Sequence, residues 1–338
     1  MLEDLNDTKF SLIICTYSRP DSVIRLMESV KRQTLYPFEI LIIDSSKDEK
    51  TKIKLDEASY SSLSYYKVEE EDKGLTRQRN YGIKKVHPSS EIICFLDDDI
   101  VLEPEYFFRL IGTYKEKPEA VAVGGWIKEE ISWKKVDENY QPAYNEFLID
   151  GYVRKLGQRN VLRKRLGLLS DKPPGYMPEF SHGLSTGFLP PSGKIFEVEY
   201  FMGGVSSYRK SLFNEIGFSP HFQGYGLYED MDFCIRASII GKLYVNTAAR
   251  VLHLHEESGR PDYRKYGRMV IENGFYVWKL RYPKPNIKAR LKHFSIDISL
   301  MLIRFFNGLK GDRKAADDGL GRLKGLLNLL SNKKFRDV

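Results

Sequence analysis

Only three cysteines occur in 338 residues, Cys15, Cys94 and Cys234, each inside an apolar run and none at a short Cys-to-Cys spacing. That scarcity excludes a disulfide framework and a cysteine-based zinc or redox site, and it fits buried thiols in a reducing compartment. No apolar run reaches the roughly 18 residues of a membrane-spanning helix, and the opening MLEDLNDTKF lacks the basic start and apolar block of a secretory signal. A cytoplasmic location is expected. Internal repeats and low-complexity tracts are missing as well. Net positive charge is lacking outside one end: residues 279–338 hold 15 Lys and Arg against 5 Asp, a net +10, which leaves residues 1–278 at −3 of the total +7. A leucine-rich basic tail without interleaved stacking aromatics argues against a nucleic-acid partner and points to an anionic surface.

What is present in the first half is a short-interval alternation of strand and helix patterns. FSLIIC (10–15) is a continuous apolar β run, followed by the turn residues SRPD and by Val23, Leu26, Met27 and Val30 at the i, i+3, i+4, i+7 spacing of a helix. EILIID (39–44), LSYYKV (63–68) and EIICFL (91–96) read as further strands, with a helix over 75–86. Continuous apolarity of this kind predicts a mostly parallel sheet covered by helices on both faces. In such open α/β sheets the ligand lies outside the carboxyl ends of the strands. Polar residues gather there: Thr16, Tyr17 and Arg19 after the first strand, Asp44 after the second, Asp97, Asp98 and Asp99 after the fourth.

Three consecutive aspartates need a counter-charge, since two carboxylates about 4 Å apart repel by roughly 4 kcal/mol at an effective dielectric of 20. Strand alternation would turn Asp97 and Asp99 to one side, a clamp for a hard divalent cation. The plainer alternative is a solvated acidic turn, because short motifs match by chance. In YGLYEDMDFCIRA (225–237), Glu229 and Asp230 read as the first turn of a helix, with Asp232 and Arg236 spaced for an ion pair. They serve either as stabilising N-terminal acids or as a general base. The histidines of RVLHLHEESGR (250–260) stand two apart, as ligands or as core histidines. Arg77 and Arg79 of GLTRQRNYGI are spaced to contact phosphates or to solvate a helix.

Taken in order, SLIICTYSRPDSV, ILIIDSS, GLTRQRNYGI, FLDDDI, VGGW, FMGGVSSYRKSLFNEIGF, YEDMDFCIRA and VLHLH resemble the family-2 inverting glycosyltransferases of GT-A fold, over about residues 9–260. The resemblance implies a Rossmann-like, mostly parallel central sheet flanked by helices. It implies that Thr16, Tyr17, Arg19, Asp44, Arg79, Asp97 and Asp98 line the nucleotide-sugar donor, Asp44 toward the base or ribose. It makes Asp99, Asp97 and His253 ligands of Mn²⁺ or Mg²⁺, Asp230 the catalytic base, and Glu229 its neighbour at the acceptor. The organisation that follows is a catalytic domain over 1–278 and a basic amphipathic helical tail over 279–338. Within the first, 9–125 is the donor half, 126–200 an irregular, partly helical acceptor region or lid, and 201–278 the acceptor and base half.

The expected activity is metal-dependent, inverting transfer of a sugar from a nucleoside diphosphate, UDP first, to a hydroxyl of a glycan or lipid-linked acceptor in surface polysaccharide or glycolipid assembly. A nucleotidyltransferase on a related sheet is the first alternative, and it gives Asp230 no role. A non-catalytic glycan- or partner-binding relative is the second, and the intact DxD and ED pairs speak against it. The apolar faces of IDISLMLIRFFNGL (296–309) and GLGRLKGLLNLL (319–330) are left three partners: the catalytic domain, a second subunit in a homo-oligomer, or an anionic membrane at the inner face of the cytoplasmic membrane.

Overall fold

The apolar run after residue 9 forms β1 (Phe10–Thr16), buried along nearly its whole length, and the turn behind it leads into α1 (Pro20–Lys31). Arg19 stands at the helix N-cap and Pro20 at the first helical position, where the fixed proline φ suits helix entry. The remaining strands in chain order are β2 (Glu39–Asp44), β3 (Leu63–Lys67), β4 (Ile92–Asp97), β5 (Ile100–Leu102), β6 (Ala120–Ile127), β7 (Lys134–Lys135), β8 (Glu146–Ile149), β9 (Tyr152–Lys155), β10 (Ile195–Val198), β11 (Val205–Arg209) and β12 (Lys242–His253). The remaining helices are α2 (Lys50–Ala58), α3 (Leu75–Ile83), α4 (Tyr106–Glu116), α5 (Gln158–Arg165), α6 (Glu229–Ile240), α7 (Tyr263–Arg281), α8 (Ile287–Leu309) and α9 (Arg313–Ser331). This is a computed structural model, and it describes residues 5, 7–128, 132–256 and 262–331.

The chain divides into two compact units, Met1–Glu130 with Leu189–Gly259, and Ile131–Phe188 with Arg260–Val338. The first holds a nine-stranded sheet in the order β10-β12-β6-β11-β4-β1-β2-β3, with β5 paired to β12. Six strands (β1, β2, β3, β4, β6 and β12) run in one direction, and β11 is inserted antiparallel between β4 and β6. The mixed α/β architecture with a mostly parallel sheet is therefore as expected. Its core is built from the inward residues of the strands, Leu12, Ile14, Ile40, Ile42 and Cys94 among them, against Val23, Leu26, Met27 and Val30 of α1 and Phe107, Leu110 and Ile111 of α4.

Strand order reverses at β1, which has β2 on one side and β4 on the other. A crevice opens at such a switch point, outside the strands' carboxyl ends. Gln78 of α3 ties the two ends on one side together, its Nε2 donating to the carbonyls of Thr16 (3.1 Å) and Ile43 (2.8 Å).

The second unit begins with residues expected to be irregular and partly helical. They do contain α5, but also a three-stranded antiparallel sheet, β7-β9-β8. Its strands are two to four residues long, too short to carry a legible period. The rest of the unit is α7, α8 and α9. Helix α7 spans residues 278 and 279, the expected boundary between catalytic domain and tail. Helices α7 and α9 meet backbone to backbone: a Cβ on Gly321 would lie 2.0 Å from the carbonyl oxygen of Arg264, and one on Gly267 would lie 2.2 Å from that of Asp318. The Asp318 carboxylate takes Nε donors from Arg304 at 2.7 Å and Arg322 at 2.8 Å, and His293 stacks on Trp278 at 3.9 Å.

Candidate functional site

All eleven site residues read from the sequence lie in the sheet unit, and most meet at the switch point. Strand β4 ends at Asp97, so Asp98 and Asp99 occupy a turn before β5, not a continuing strand. Turn geometry therefore replaces the expected strand alternation, because the chain reverses to pair β5 with β12. The outcome for Asp97 and Asp99 is nonetheless convergence: one oxygen of each and a ring nitrogen of His253 lie within 4.8 Å of one another. His253 Nε2 is 3.0 Å from Asp99 Oδ1, while Asp99 Oδ2 accepts from the Glu256 amide at 3.0 Å. Burial opposes ionisation of Asp99, but His253, the Glu256 amide and Arg19 together outweigh it and hold this carboxyl below the usual range.

Asp98 faces the end of β1. Its carboxylate accepts from Thr16 Oγ1 at 2.7 Å and from Arg19 Nη1 at 2.8 Å, and the same guanidinium reaches Asp99 at 3.7 Å. Burial pushes the Asp98 carboxyl up to about 6, against the pull of Arg19. Tyr17 is exposed beside this group. Ser18, with φ at 55°, makes the left-handed turn that brings its amide to Ser46 Oγ at 2.7 Å.

Asp44 is fully buried and occupied within the protein. Oδ1 accepts from the amide (2.7 Å) and hydroxyl of Ser46, and Oδ2 accepts from the Tyr65 hydroxyl at 2.9 Å. Its visible work is to hold the β2 end to β3.

Arg79 is buried on α3, where its guanidinium lies 5.4 Å from the Phe95 ring and 5.2 Å from that of Phe218. Nη1 donates to Glu229 Oε1 at 2.5 Å, and Nη2 approaches Asp97 Oδ1 at 3.6 Å. Burial raises the Glu229 carboxyl and Arg79 opposes that shift. The second oxygen, Oε2, is buried without a hydrogen-bond partner. Glu229 and Asp230 open α6 as the sequence predicts, and Asp232 pairs with Arg236 at 2.5 Å. Asp230 is fixed by two amides, Gly203 to Oδ2 at 3.1 Å and Met231 to Oδ1 at 2.8 Å.

Sequence reasoning quoted FMGG but gave its glycines no role. A Cβ on Gly204 would lie 2.2 Å from Asp97 Oδ2, and one on Gly203 would lie 2.9 Å from Arg79 Nη1, Asp230 Cβ and Glu229 Oε1. The start of β11 passes between the two acid groups only because it has no side chain there. A glycine pair sandwiched between apolar residues ahead of a strand was the available signal. Five carboxylates (Asp97, Asp98, Asp99, Glu229 and Asp230) thus face two guanidinium groups and one imidazole.

An acid-rich crevice at the switch point of a mostly parallel sheet defines an α/β protein of the GT-A kind. The family model for Glycosyl transferase family 2 matches residues 11–180, half of the chain, and the chain belongs to that family. A glucosyl-dolichyl phosphate glucuronosyltransferase of Haloferax volcanii is 30% identical over 122 residues, 35% of this chain and 38% of that protein. The O-antigen chain rhamnosyltransferase RfbN of Salmonella typhimurium is 23% identical over 261 residues, 76% of this chain and 70% of that protein. Among solved structures, GalNAc-T7 with UDP, GalNAc and Mn²⁺ superposes with a TM-score of 0.51 at 18% identity, covering 78% of this chain and 47% of that one, a likeness of fold. The chain spans less than half the length of the Haloferax relative and of the solved structure.

Proposed function

We propose that this chain is a metal-dependent, inverting glycosyltransferase that moves a sugar from a nucleoside diphosphate, UDP in the first instance, to a hydroxyl of a glycan or lipid-linked acceptor. Its setting is surface polysaccharide or glycolipid assembly at the inner face of the cytoplasmic membrane. The observation that carries the reading is the convergence of Asp97, Asp99 and His253 within 4.8 Å, next to a separately anchored Asp230. Two carboxylates and an imidazole suit Mn²⁺ or Mg²⁺, and the excess of acids over guanidinium groups leaves the crevice a net demand for positive charge. When bound, the cation supplies positive charge to the departing diphosphate.

The chain's own groups do the rest. Thr16 and Arg19 hold Asp98 at the edge of the donor pocket, Tyr17 lies open to the nucleotide, and Asp44 shapes the pocket's far side through Ser46 and Tyr65. Asp230, oriented by the Gly203 and Met231 amides, accepts the proton of the acceptor hydroxyl. That oxygen bonds to the anomeric carbon from the face opposite the nucleotide. The bond from this carbon to the diphosphate oxygen breaks, and its electron pair departs with the diphosphate. Glu229 presents Oε2 to a second acceptor hydroxyl while Arg79 holds Oε1. A nucleotidyltransferase would leave Asp230 without work.

Calorimetric binding of UDP, dTDP, GDP and CMP sugars, with and without Mn²⁺, tests the assignment on wild type and Asp99→Ala. One nucleotide class should bind with metal to wild type and fail with Asp99→Ala; metal-independent binding equal in both proteins removes Asp99 from the site.

A further inference from the structure

Formal charge is divided between the two units far more sharply than along the sequence. The helical unit carries 28 Lys and Arg against 13 Asp and Glu, a net +15, and the sheet unit carries −8. Within the helical unit, α8 buries Ala289, His293 and Ile296 on one side. On the other it turns Ile287, Leu291, Ile298, Leu302, Phe306 and Leu309 outward. Ile287, Leu291, Phe306 and Leu309 are 70%, 64%, 62% and 83% exposed. At 3.6 residues per turn these six positions fall within a roughly 100° arc, a continuous stripe along the helix. Lys288 and Lys310 flank it and are exposed.

A second basic segment joins it. Lys292 Nζ donates to the carbonyl of Gly167 at 3.0 Å, which brings exposed Arg165 and Leu166, from the middle of the 126–200 region, beside the first turns of α8. The same face is therefore fed by two segments of the chain more than a hundred residues apart.

We propose that the α8 stripe, with Lys288, Lys310 and the Arg165–Leu166 corner, is a docking face for an anionic lipid bilayer. Apolar side chains in a row with cations at their rim match the headgroup–acyl boundary, where the hydrocarbon enters and the charges stay with the phosphates. Charge complementarity selects this occupant. Two copies meeting through the same face would bring two units of +15 together, and a neutral apolar partner would leave the rim unanswered. No helix among the described residues is long and apolar enough to cross a membrane; the contact proposed is one along the surface of the bilayer. This inference deepens the membrane location proposed above and rests on it for its biological setting alone.

Flotation of the full chain with vesicles of phosphatidylcholine, plain or mixed with phosphatidylglycerol, provides the test. Wild type should bind the anionic vesicles at least about tenfold better than the neutral ones, and added salt should narrow the gap. Leu302→Glu with Phe306→Glu should abolish binding, and Lys288→Glu with Lys310→Glu should cut it severalfold. All four side chains lie at the surface, and thermal melts of both variants confirm folding. Unchanged binding in both variants, or equal binding to the two kinds of vesicle, overturns the proposal. So does a wild-type dimer that dissociates in the leucine–phenylalanine variant without any vesicle binding, which would give the face to a second copy. Donor binding measured on the same samples separates this result from the transferase assignment: lost vesicle binding with intact donor binding leaves the site reading untouched.

Discussion

In the sheet unit, five carboxylates crowd the switch point around two guanidinium groups, whereas in the helical unit the buried Asp318 alone lies between Arg304 and Arg322. The first arrangement is short of positive charge and the second is not. A buried acid with matched cations is explained by packing, since each partner satisfies the other's lost hydration. A surplus of acids is not, because mutual repulsion of about 4 kcal/mol per close pair works against folding unless a ligand answers it. The difference separates a site from a strut, and it predicts opposite responses to the same kind of substitution.

The largest effect belongs to the group that handles the proton. Asp230→Asn keeps the side chain's shape, but it can accept from only one of the two amides and cannot take a proton, so kcat should fall by about 10²–10⁴ with donor affinity retained. Steady-state kinetics beside calorimetry would decide it; near-normal turnover removes Asp230 as the base. Next comes Asp97→Asn, which should weaken Mn²⁺-dependent donor binding by about 100-fold, roughly 2.7 kcal/mol. Its Tm should hold within a few degrees of wild type, because one like charge leaves the cluster as its loose 3.6 Å contact to Arg79 weakens. A marked fall in Tm with unchanged donor binding would make Asp97 a strut and dissolve the contrast. Asp318→Asn should do the reverse, losing about 1.5–3 kcal/mol of stability from its charged hydrogen bonds with no change in donor affinity.

Much of the first contrast was legible before the structure. Continuous apolar runs such as FSLIIC and EILIID fixed the parallel strands, and with them the ends where Thr16, Asp44 and Asp97 stand. What escaped was whatever depends on pairing between distant segments. The turn at Asp98 and Asp99 follows from β5 leaving to pair with β12, some 150 residues later. The enclosure of Asp44 by Tyr65 needs the β2–β3 register. The grouping of residues 131–188 with the C-terminal helices has no local signature, since strands of two to four residues carry no period. The pairing of Asp318 was equally hidden: Arg322 is one helical turn away and readable, but Arg304 arrives from another helix.

Glycine sharpens the comparison at its smallest scale. Gly204 in the sheet unit and Gly267 in the helical unit would each place a new Cβ 2.2 Å from an oxygen, but the oxygens differ in kind. For Gly204 it is Oδ2 of Asp97, the end of a side chain that can swing aside; for Gly267 it is the main-chain carbonyl of Asp318, held within α9. One added methyl should therefore displace a ligand in the first case and push a pair of helices apart in the second. Gly204→Ala should reduce metal-dependent donor affinity by about tenfold, near 1.4 kcal/mol, with little change in the melting curve. Gly267→Ala should cost about 1–3 kcal/mol of stability, the usual scale for overpacking, and leave donor affinity alone. Melting and calorimetry on the two variants read both quantities. If Gly204→Ala melts early and still binds donor normally, the close approach of β11 to Asp97 is a matter of packing, and the surplus of acids loses its claim to be built around a ligand.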